Sequence, residues 1–487
     1  MRFSRDTLSM LPATVRRPSF DWRTLRTGIV HIGIGAFHRA HQAFYTEPLL
    51  ARDPRWGTLG ISLRRADTRD ALRPQDWLYT LSERDASGER LTAMATLTSV
   101  IVAPEDPRRA VACLIDPAVR IVTITVTEKG YCRNAASGAL DAGDAAVQRD
   151  LASPDTPATL PGLVVAALRA RRAQRVAPFT VLSCDNLPSN GEATRRVLTE
   201  YAALLDPALA RFIEREVACP SSVLDRIVPA TTDADRARIA DLLGLEDAWP
   251  VVSERFSQWV IEDRFPLGRP AWEETGATLV ADVAPYAAMK LRLLNGSHST
   301  IAYLGQLAGW QTAADAMTEP ALVAHIEALM REMATTLHVA PGMDVAAYRE
   351  ALVARFSNPA LRHLTAQIAM DGSQKLPQRL FAPALDRLAA GRGTRRIALG
   401  VAAWLRFLQG RAETGERLHI EDPLASRLTV TASAAGDHRS LVDAIFAMPD
   451  VVPPALTGAA NFRDTVLVAL DRLAAHGVRA TLREWHD

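Results

Sequence analysis

Short apolar runs and helically spaced stretches alternate through the first half of the chain. The runs "TGIVHIGIGAF" (27–37), "WGTLGISL" (56–63), "VRIVTITVT" (119–127) and "FTVLSCDN" (179–186) are apolar nearly throughout. A sheet with one wet face would alternate polar and apolar positions, so these runs predict strands buried on both faces. Between the third and fourth, "LPGLVVAALRARRAQR" (160–175) repeats at helical spacing. Strands alternating with helices predict an α/β fold with a doubly wound, mostly parallel sheet. From about residue 286 the texture changes. "TEPALVAHIEALMREMATTL", "TRRIALGVAAWLRFLQG" and "NFRDTVLVALDRLAAHG" are helical in period, and β-branched runs become sparse. The expected organisation is a sheet domain over 1–285 and a mainly α-helical domain over 286–487.

Composition narrows the class of partner. The 487 residues carry 56 Lys plus Arg against 55 Asp plus Glu, a net charge of +1. A nucleic-acid partner calls for a basic surplus or a basic face, and the balance offers none. Cys113, Cys132, Cys184 and Cys219 lie far apart, without a C-x-x-C pair, which argues against a zinc cluster or a disulfide framework. The first residues lack the apolar core of a signal peptide, and no stretch of about 18 residues is apolar enough to span a bilayer. The expectation is a cytoplasmic protein with a small-molecule partner and no bound metal. It is expected to be a monomer or a weak homo-oligomer.

The first strand ends in a glycine turn. In "VHIGIGAFHRAHQ", Gly33 and Gly35 follow the strand, and a helix is expected from Phe37 or soon after. The first glycine permits a tight turn, and the second lets the backbone approach a pyrophosphate at a helix N-terminus. A plain glycine turn after a buried strand would be spelled the same way. His38 stands where a third glycine is usual, which should widen the helix-to-strand packing or tilt the helix. After the second strand, "SLRRADTRD" offers Asp67, whose carboxylate suits the ribose hydroxyls of NAD, and Arg64 and Arg65, which suit the extra phosphate of NADP. The balance leans to NAD.

Two further strands end in polar residues. "TVTEKGY" puts Thr127, Glu128 and Lys129 at one end, and "SCDNLPSNG" puts Asp185 and Asn186 at another. Ligands of open α/β sheets sit beyond the carboxyl ends of the strands. Thr127 and Glu128 are therefore candidate cofactor contacts, and Asn186 is a candidate donor to a developing alkoxide. An Asx turn leaving the strand is the structural alternative at 185–186. In "VLDRIVPATT", Asp225 and Arg226 are either a buried ion pair or a carboxylate set near a catalytic amine.

"MKLRLLNGSHS" (289–299) carries Lys290, Asn295 and His298 inside an apolar stretch. As an α-helix over 286–303 it would put them at about 0°, 140° and 80° around the axis, on one broad face. Oxidation of an alcohol to a ketone needs a base for the hydroxyl proton and donors for the alkoxide. A partly buried lysine with a lowered pKa can be that base. Asn295, with Asn186, can cradle the oxygen, and His298 can bind a neighbouring hydroxyl. The structural alternative has Lys290 snorkelling, Asn295 capping a break at Gly296, and His298 satisfied in the core.

Taken together these stretches resemble the polyol-specific long-chain dehydrogenases and reductases, the family of mannitol dehydrogenase and fructuronate reductase (mannonate oxidoreductase). The resemblance rests on "GIVHIGIGAFHRAHQAFY", "VTITVTEKGYC", "FTVLSCDNLPSNG", "VLDRIVPATT", "QWVIEDRF", "MKLRLLNGSHS", "RFSNP" and "DGSQKLPQR". It implies a metal-free, NAD(P)-dependent secondary-alcohol dehydrogenase. It also implies an N-terminal Rossmann-type domain, a helical C-terminal domain and an active site in the cleft between them. By motif match it makes Lys290 the general base, Asn186 and Asn295 the oxyanion donors, and His298 a substrate ligand. Asp225 becomes a carboxylate near the lysine, Lys375 a substrate contact, and Gly33, Gly35, Phe37 and Asp67 cofactor contacts. Two positions depart from the mannitol enzymes: Gln367 stands where they carry an arginine, and Ala287 where several members carry a glutamate. "TVTEKGY" and "AMDGSQKLPQRL" are more similar to the fructuronate reductases. A sugar acid brings a carboxylate that Lys129, Lys375 or Arg379 can meet with a charge-assisted hydrogen bond. The expected reaction is thus the interconversion of D-fructuronate and D-mannonate. A neutral-polyol dehydrogenase is the alternative in the same class, and a non-catalytic dinucleotide-binding sensor the alternative in another.

Overall fold

Five parallel strands form the central sheet, in a computed structural model that describes residues 1–134, 137–360 and 362–485. β1 (Thr27–Ile32), β2 (Gly57–Ser62), β6 (Ile121–Ile124) and β7 (Thr180–Ser183) match the four apolar runs. The fifth, β5 (Leu97–Val102), is an edge strand the pattern did not single out. The order is β5-β2-β1-β6-β7, so the chain reverses direction across the sheet between β1 and β6. That switch point opens a crevice at the carboxyl ends of these two strands. Both faces are buried, as continuous apolarity requires. Val30, Ile32, Val122, Ile124 and Val181 pack beneath α4 (Leu160–Ala173). Ile29, Ile121, Leu182 and Cys184 face the opposite way, toward Tyr45, Trp56, Trp259 and Trp272.

Ahead of α4, β1 leads into α1 (Ala36–Ala40) and α2 (Gln42–Thr46), and β2 into α3 (Asp67–Leu72). Two small sheets flank the central one. β3 (Tyr79–Asp85) forms a hairpin with β4 (Gly88–Met94) and pairs in parallel with β9 (Val251–Glu254). β10 (Gln258–Glu262) lies between β8 (Ser222–Asp225) and β11 (Thr278–Val280). This compact unit spans Met1–Ala284, and a second spans Pro285–Asp487. The second unit is helical. α6 (Ser297–Ala308) packs on α8 (Arg395–Leu408), which packs in turn on α9 (Ala460–Glu484). Among the described residues no helix is long and apolar enough to cross a membrane.

One buried carboxylate in the first unit makes stability depend on pH. Glu47 is 3% exposed, with Oε2 3.2 Å from Nη2 of Arg16. Burial pushes its pKa up to about 7, against the pull of the arginine. The unfolded chain releases that proton near pH ~4.3. Between the two values only the folded state keeps the proton, so this site's contribution is full below about pH 4.3 and is lost as pH rises through 7. Glu47→Gln is expected to stabilise the protein by on the order of 2 kcal/mol at about pH 8, and hardly at all at about pH 4. Urea unfolding at the two pH values checks this, and an equal gain at both would contradict it.

Candidate active site

The sheet unit supplies a glycine turn at the crevice. Gly33 follows β1 directly with φ +94°, a left-handed conformation open to glycine. A Cβ there would lie 2.1 Å from the carbonyl oxygen of Thr125, so the chain leaving β6 presses directly on the turn. The Gly33 N–H donates to Ile61 O at 2.8 Å. Gly35 caps α1 without a side-chain hydrogen bond, and a Cβ on it would meet just Gly33 O, at 3.6 Å. The space in front of Gly35 is therefore open, as a pyrophosphate against a helix N-terminus needs. Phe37 is half-buried and stacks on His41, with centroids 5.1 Å apart. His38, in place of a third glycine, stacks its ring on that of His31 with centroids 3.7 Å apart. An imidazole wedged between helix and strand holds the two apart. The first helix begins at Ala36, runs five residues and breaks at His41 before α2 resumes.

Beyond β2, Asp67 opens α3 and is exposed, with Oδ2 3.7 Å from Arg65 Nη1; Arg64 is exposed too. The acidic and basic candidates for the ribose are thus neighbours at one strand end. Beyond β6, Thr127, Glu128 and Lys129 are all exposed, on the segment that enters the turn Glu128–Tyr131. Thr127 adopts φ +66°, ψ 166°, a region that costs a residue with a side chain roughly 1–3 kcal/mol. Asp185 holds it there. Its buried carboxylate accepts from Val126 N (3.0 Å), Thr127 N (2.9 Å) and Tyr131 Oη (2.8 Å). Burial still raises its pKa against those three donors. The Asx turn weighed for 185–186 is thus not what the Asp185 side chain does. It reaches across to β6 instead, because the donors stranded there have no strand partner.

Asn186 follows it, exposed at the end of β7. The side chain of buried Asn190 ties the neighbourhood together. Nδ2 donates to Ser183 O, Asp185 O and Ser222 O, and Oδ1 accepts from Ser222 N at 2.9 Å. This joins the end of β7 to β8, whose last residue is buried Asp225. Arg226 does not take Asp225 as its salt-bridge partner. Its guanidinium meets Glu83 Oε1 at 2.7 Å, both side chains being shut off from solvent, and lies over Phe44 at 4.6 Å. Asp185 and Asn190 escaped the sequence as positioning residues. The available signal was polar residues clustered where an apolar strand ends.

In the helical unit, the continuous α-helix expected over 286–303 is interrupted. α5 (Ala284–Met289) passes into a π turn, Lys290–Gly296, before α6 begins. The wheel angles for an ideal α-helix therefore do not hold. Bonds from i to i+5 close the π turn, so Asn295 comes one such step above Lys290, on the same side of the helix. The cause lies in packing. A second π turn, Pro377–Phe381, follows α7 (Gly372–Leu376), where Pro377 has no N–H to extend an α ladder. It presses on Gly296, where a Cβ would be 2.9 Å from Arg379 O. Arg379 also reaches over, donating from Nη1 to Ser299 Oγ at 3.1 Å and to Asn295 O at 3.5 Å.

Lys290, Asn295 and His298 are each half-buried. The His298 ring stacks on Phe356 (5.4 Å) and meets His363 edge-on (4.5 Å). Burial drives its pKa well down, and His363, Arg379, Arg355 and Lys375 add to the drop. The imidazole is therefore neutral near pH 7 and can donate from one nitrogen while it accepts at the other. Lys375 Nζ donates to Met370 O at 2.5 Å and lies 3.8 Å from Asp371 Oδ2. Its pKa is lowered by burial and by Arg379, against Asp371 and Asp422. Arg355 and His363 were not among the sequence candidates.

Comparison with known proteins places both units. Residues 27–274 match the family model of the mannitol dehydrogenase Rossmann domain, and residues 282–474 that of the mannitol dehydrogenase C-terminal domain. D-mannonate oxidoreductase of Escherichia coli (strain K12) is 43% identical over 472 residues, covering 96% of this chain and 97% of the relative. The solved ternary complex of Pseudomonas fluorescens mannitol 2-dehydrogenase with NAD and D-mannitol is 37% identical, with a TM-score of 0.85 and 99% of each chain covered. A substrate-free D-sorbitol dehydrogenase structure is 34% identical with a TM-score of 0.94, covering 99% of this chain and 100% of that one.

Proposed function

The chain belongs to the mannitol dehydrogenase family, and from that premise we propose that it interconverts D-fructuronate and D-mannonate by hydride transfer at carbon 5. Bound NAD would supply the hydride acceptor needed for oxidation, and NADH the hydride donor needed for reduction. The chain's own residues handle the proton and the oxygen. In oxidation the Lys290 amine takes the hydroxyl proton, and in reduction its ammonium gives the proton back. Asn295 and Asn186 donate to the oxygen as it gains charge. Neutral His298 binds a neighbouring hydroxyl, and the Asp225 carboxylate keeps the amine positioned. Gly33, Gly35, Phe37, Asp67, Thr127 and Glu128 serve the cofactor.

The observation that carries the reading is the side-chain set on and around the first π turn. Lys290 and Asn295 are one π step apart, and His298 follows with Arg355, Lys375 and Arg379 all acting on it. A neutral polyol has no need of three cations around one imidazole. A substrate carboxylate does, since charge-assisted hydrogen bonds in a half-buried site are the strong ones. The 43% identity to a D-mannonate oxidoreductase points the same way. In this reading Lys375 and Arg379 receive the carboxylate, with Lys129 as a further cation.

Steady-state kinetics with fructuronate beside fructose, each with NADH and with NADPH, test the proposal. Fructuronate with NADH is the expected best pair. A preference for fructose would replace the proposal by a neutral-polyol dehydrogenase, and no oxidation of NADH with any ketose or keto-acid would leave a dinucleotide-binding sensor. Lys375→Met is expected to raise KM for fructuronate by roughly 10- to 100-fold, the value of one hydrogen bond between charged groups. Its effect on KM for fructose should be much smaller. Equal effects on both substrates would remove Lys375 from carboxylate binding.

A further inference from the structure

A directed chain of hydrogen bonds runs from inside the sheet to the glycine turn. His31 on β1 stands opposite Thr123 on β6. Thr123 and Thr125, two residues apart on an extended chain, turn their side chains to the same face. His31 is fully buried, with Nδ1 2.8 Å from Thr123 Oγ1 and Nε2 2.8 Å from Thr125 Oγ1. Thr125 Oγ1 lies 3.0 Å from the carbonyl oxygen of Gly33.

The direction of every bond follows. A carbonyl only accepts, so the single hydroxyl proton of Thr125 points at Gly33. Toward His31 the same oxygen must then accept, and Nε2 must carry the ring proton. Burial pulls the imidazole down to a pKa of about 3, so the ring is neutral and Nδ1 is bare. Thr123 therefore donates to Nδ1. The order is Thr123 to His31, His31 to Thr125, Thr125 to Gly33, with each proton committed. The stacked His38 ring covers His31 and keeps it from turning. An apolar side chain at position 31 could fill the space, whereas the histidine adds direction. Fixing the Gly33 carbonyl fixes the peptide plane that follows it, and with it the approach to Gly35.

We infer that His31, acting through Thr125, is a positioning residue for the dinucleotide: it holds the Gly33 peptide so that the backbone at Gly35 can meet the pyrophosphate. The inference rests on the dinucleotide reading above. Its test is NADH binding, followed by fluorescence titration, in Thr125→Val and Thr125→Ser. The valine keeps the shape and removes the hydroxyl, and its Kd for NADH is expected to rise roughly five- to tenfold, the value of one neutral hydrogen bond. The serine is expected to restore wild-type affinity. Side-chain nitrogen NMR of the full chain adds a readout that packing alone would not move. His31 should be the Nε2–H tautomer in the wild type and in Thr125→Ser, and should shift toward Nδ1–H in Thr125→Val, because Thr123 can accept as well as donate. An Nδ1–H ring in the wild type would overturn the inference. So would an unchanged Kd in Thr125→Val, with or without a lower melting temperature, and so would a serine that fails to restore binding. A wild-type protein that takes up no NADH would overturn the dinucleotide reading and this inference with it.

Discussion

Lys290→Ala is expected to cut turnover by roughly 10³-fold, within the range for loss of a general base, while the Kd for NADH stays within about a factor of two. The split follows from where the groups lie. The glycine turn, Asp67 and Thr127 belong to the sheet unit, and Lys290 opens a π turn in the helical one. Stopped-flow reduction of fructuronate measures the first quantity and quenching of NADH fluorescence the second. Small primary amines added to Lys290→Ala should restore part of the rate, since they bring back the proton acceptor without the tether. Undiminished turnover would end the assignment of the base. A comparable loss of NADH affinity would point to a disturbed fold.

Arg226→Ala is expected to destabilise the sheet unit by about 3–5 kcal/mol, the usual result of removing one partner of a buried ion pair. Arg226 is fully enclosed and Glu83 is 3% exposed, so the carboxylate cannot reach water and keeps just the distant guanidinium of Arg90, 4.0 Å away. The change also strips donors from Ala40 O, at the end of the helix that follows the glycine turn, and from Glu254 O. Urea unfolding followed by tryptophan fluorescence measures the loss. Adding Glu83→Gln to Arg226→Ala should recover a good part of it, because the cost lies largely in a buried charge that has lost its close partner. A single variant as stable as the wild type would contradict a stabilising role for the Arg226–Glu83 pair.

Much of this architecture was legible in the chain, and the parts that were not share a cause. The strands at Thr27–Ile32, Gly57–Ser62, Ile121–Ile124 and Thr180–Ser183 could be read because both faces are apolar. The hairpin at Tyr79–Met94 hid because it buries Thr80, Ser82 and Glu83, and a pattern reading puts polar residues outside. The group that satisfies Glu83, the guanidinium of Arg226, comes from 143 positions away. The same holds at the candidate site. Lys290, Asn295 and His298 stood out as polar residues in an apolar stretch. The π turn beneath the first two did not, since the residues that form it would suit an α-helix equally well. The interruption lies where Gly296 meets a carbonyl from Arg379, a contact no local pattern encodes. Asp185 was visible as a strand-end residue, but its work on Val126 and Thr127 is done across the sheet.

A π turn holds one residue more than the α turn it interrupts. The helix from Ala284 to Ala308 therefore carries what amounts to a single insertion, absorbed locally before Ser297. Downstream, α6 keeps its seat on α8. The candidate side chains and the scaffold are thus uncoupled in their phase along one continuous rod. A gain or loss of one amino acid at such a place can rotate which side chains face a substrate while every later turn stays in register, which gives an enzyme lineage a way to change its chemistry without rebuilding its core.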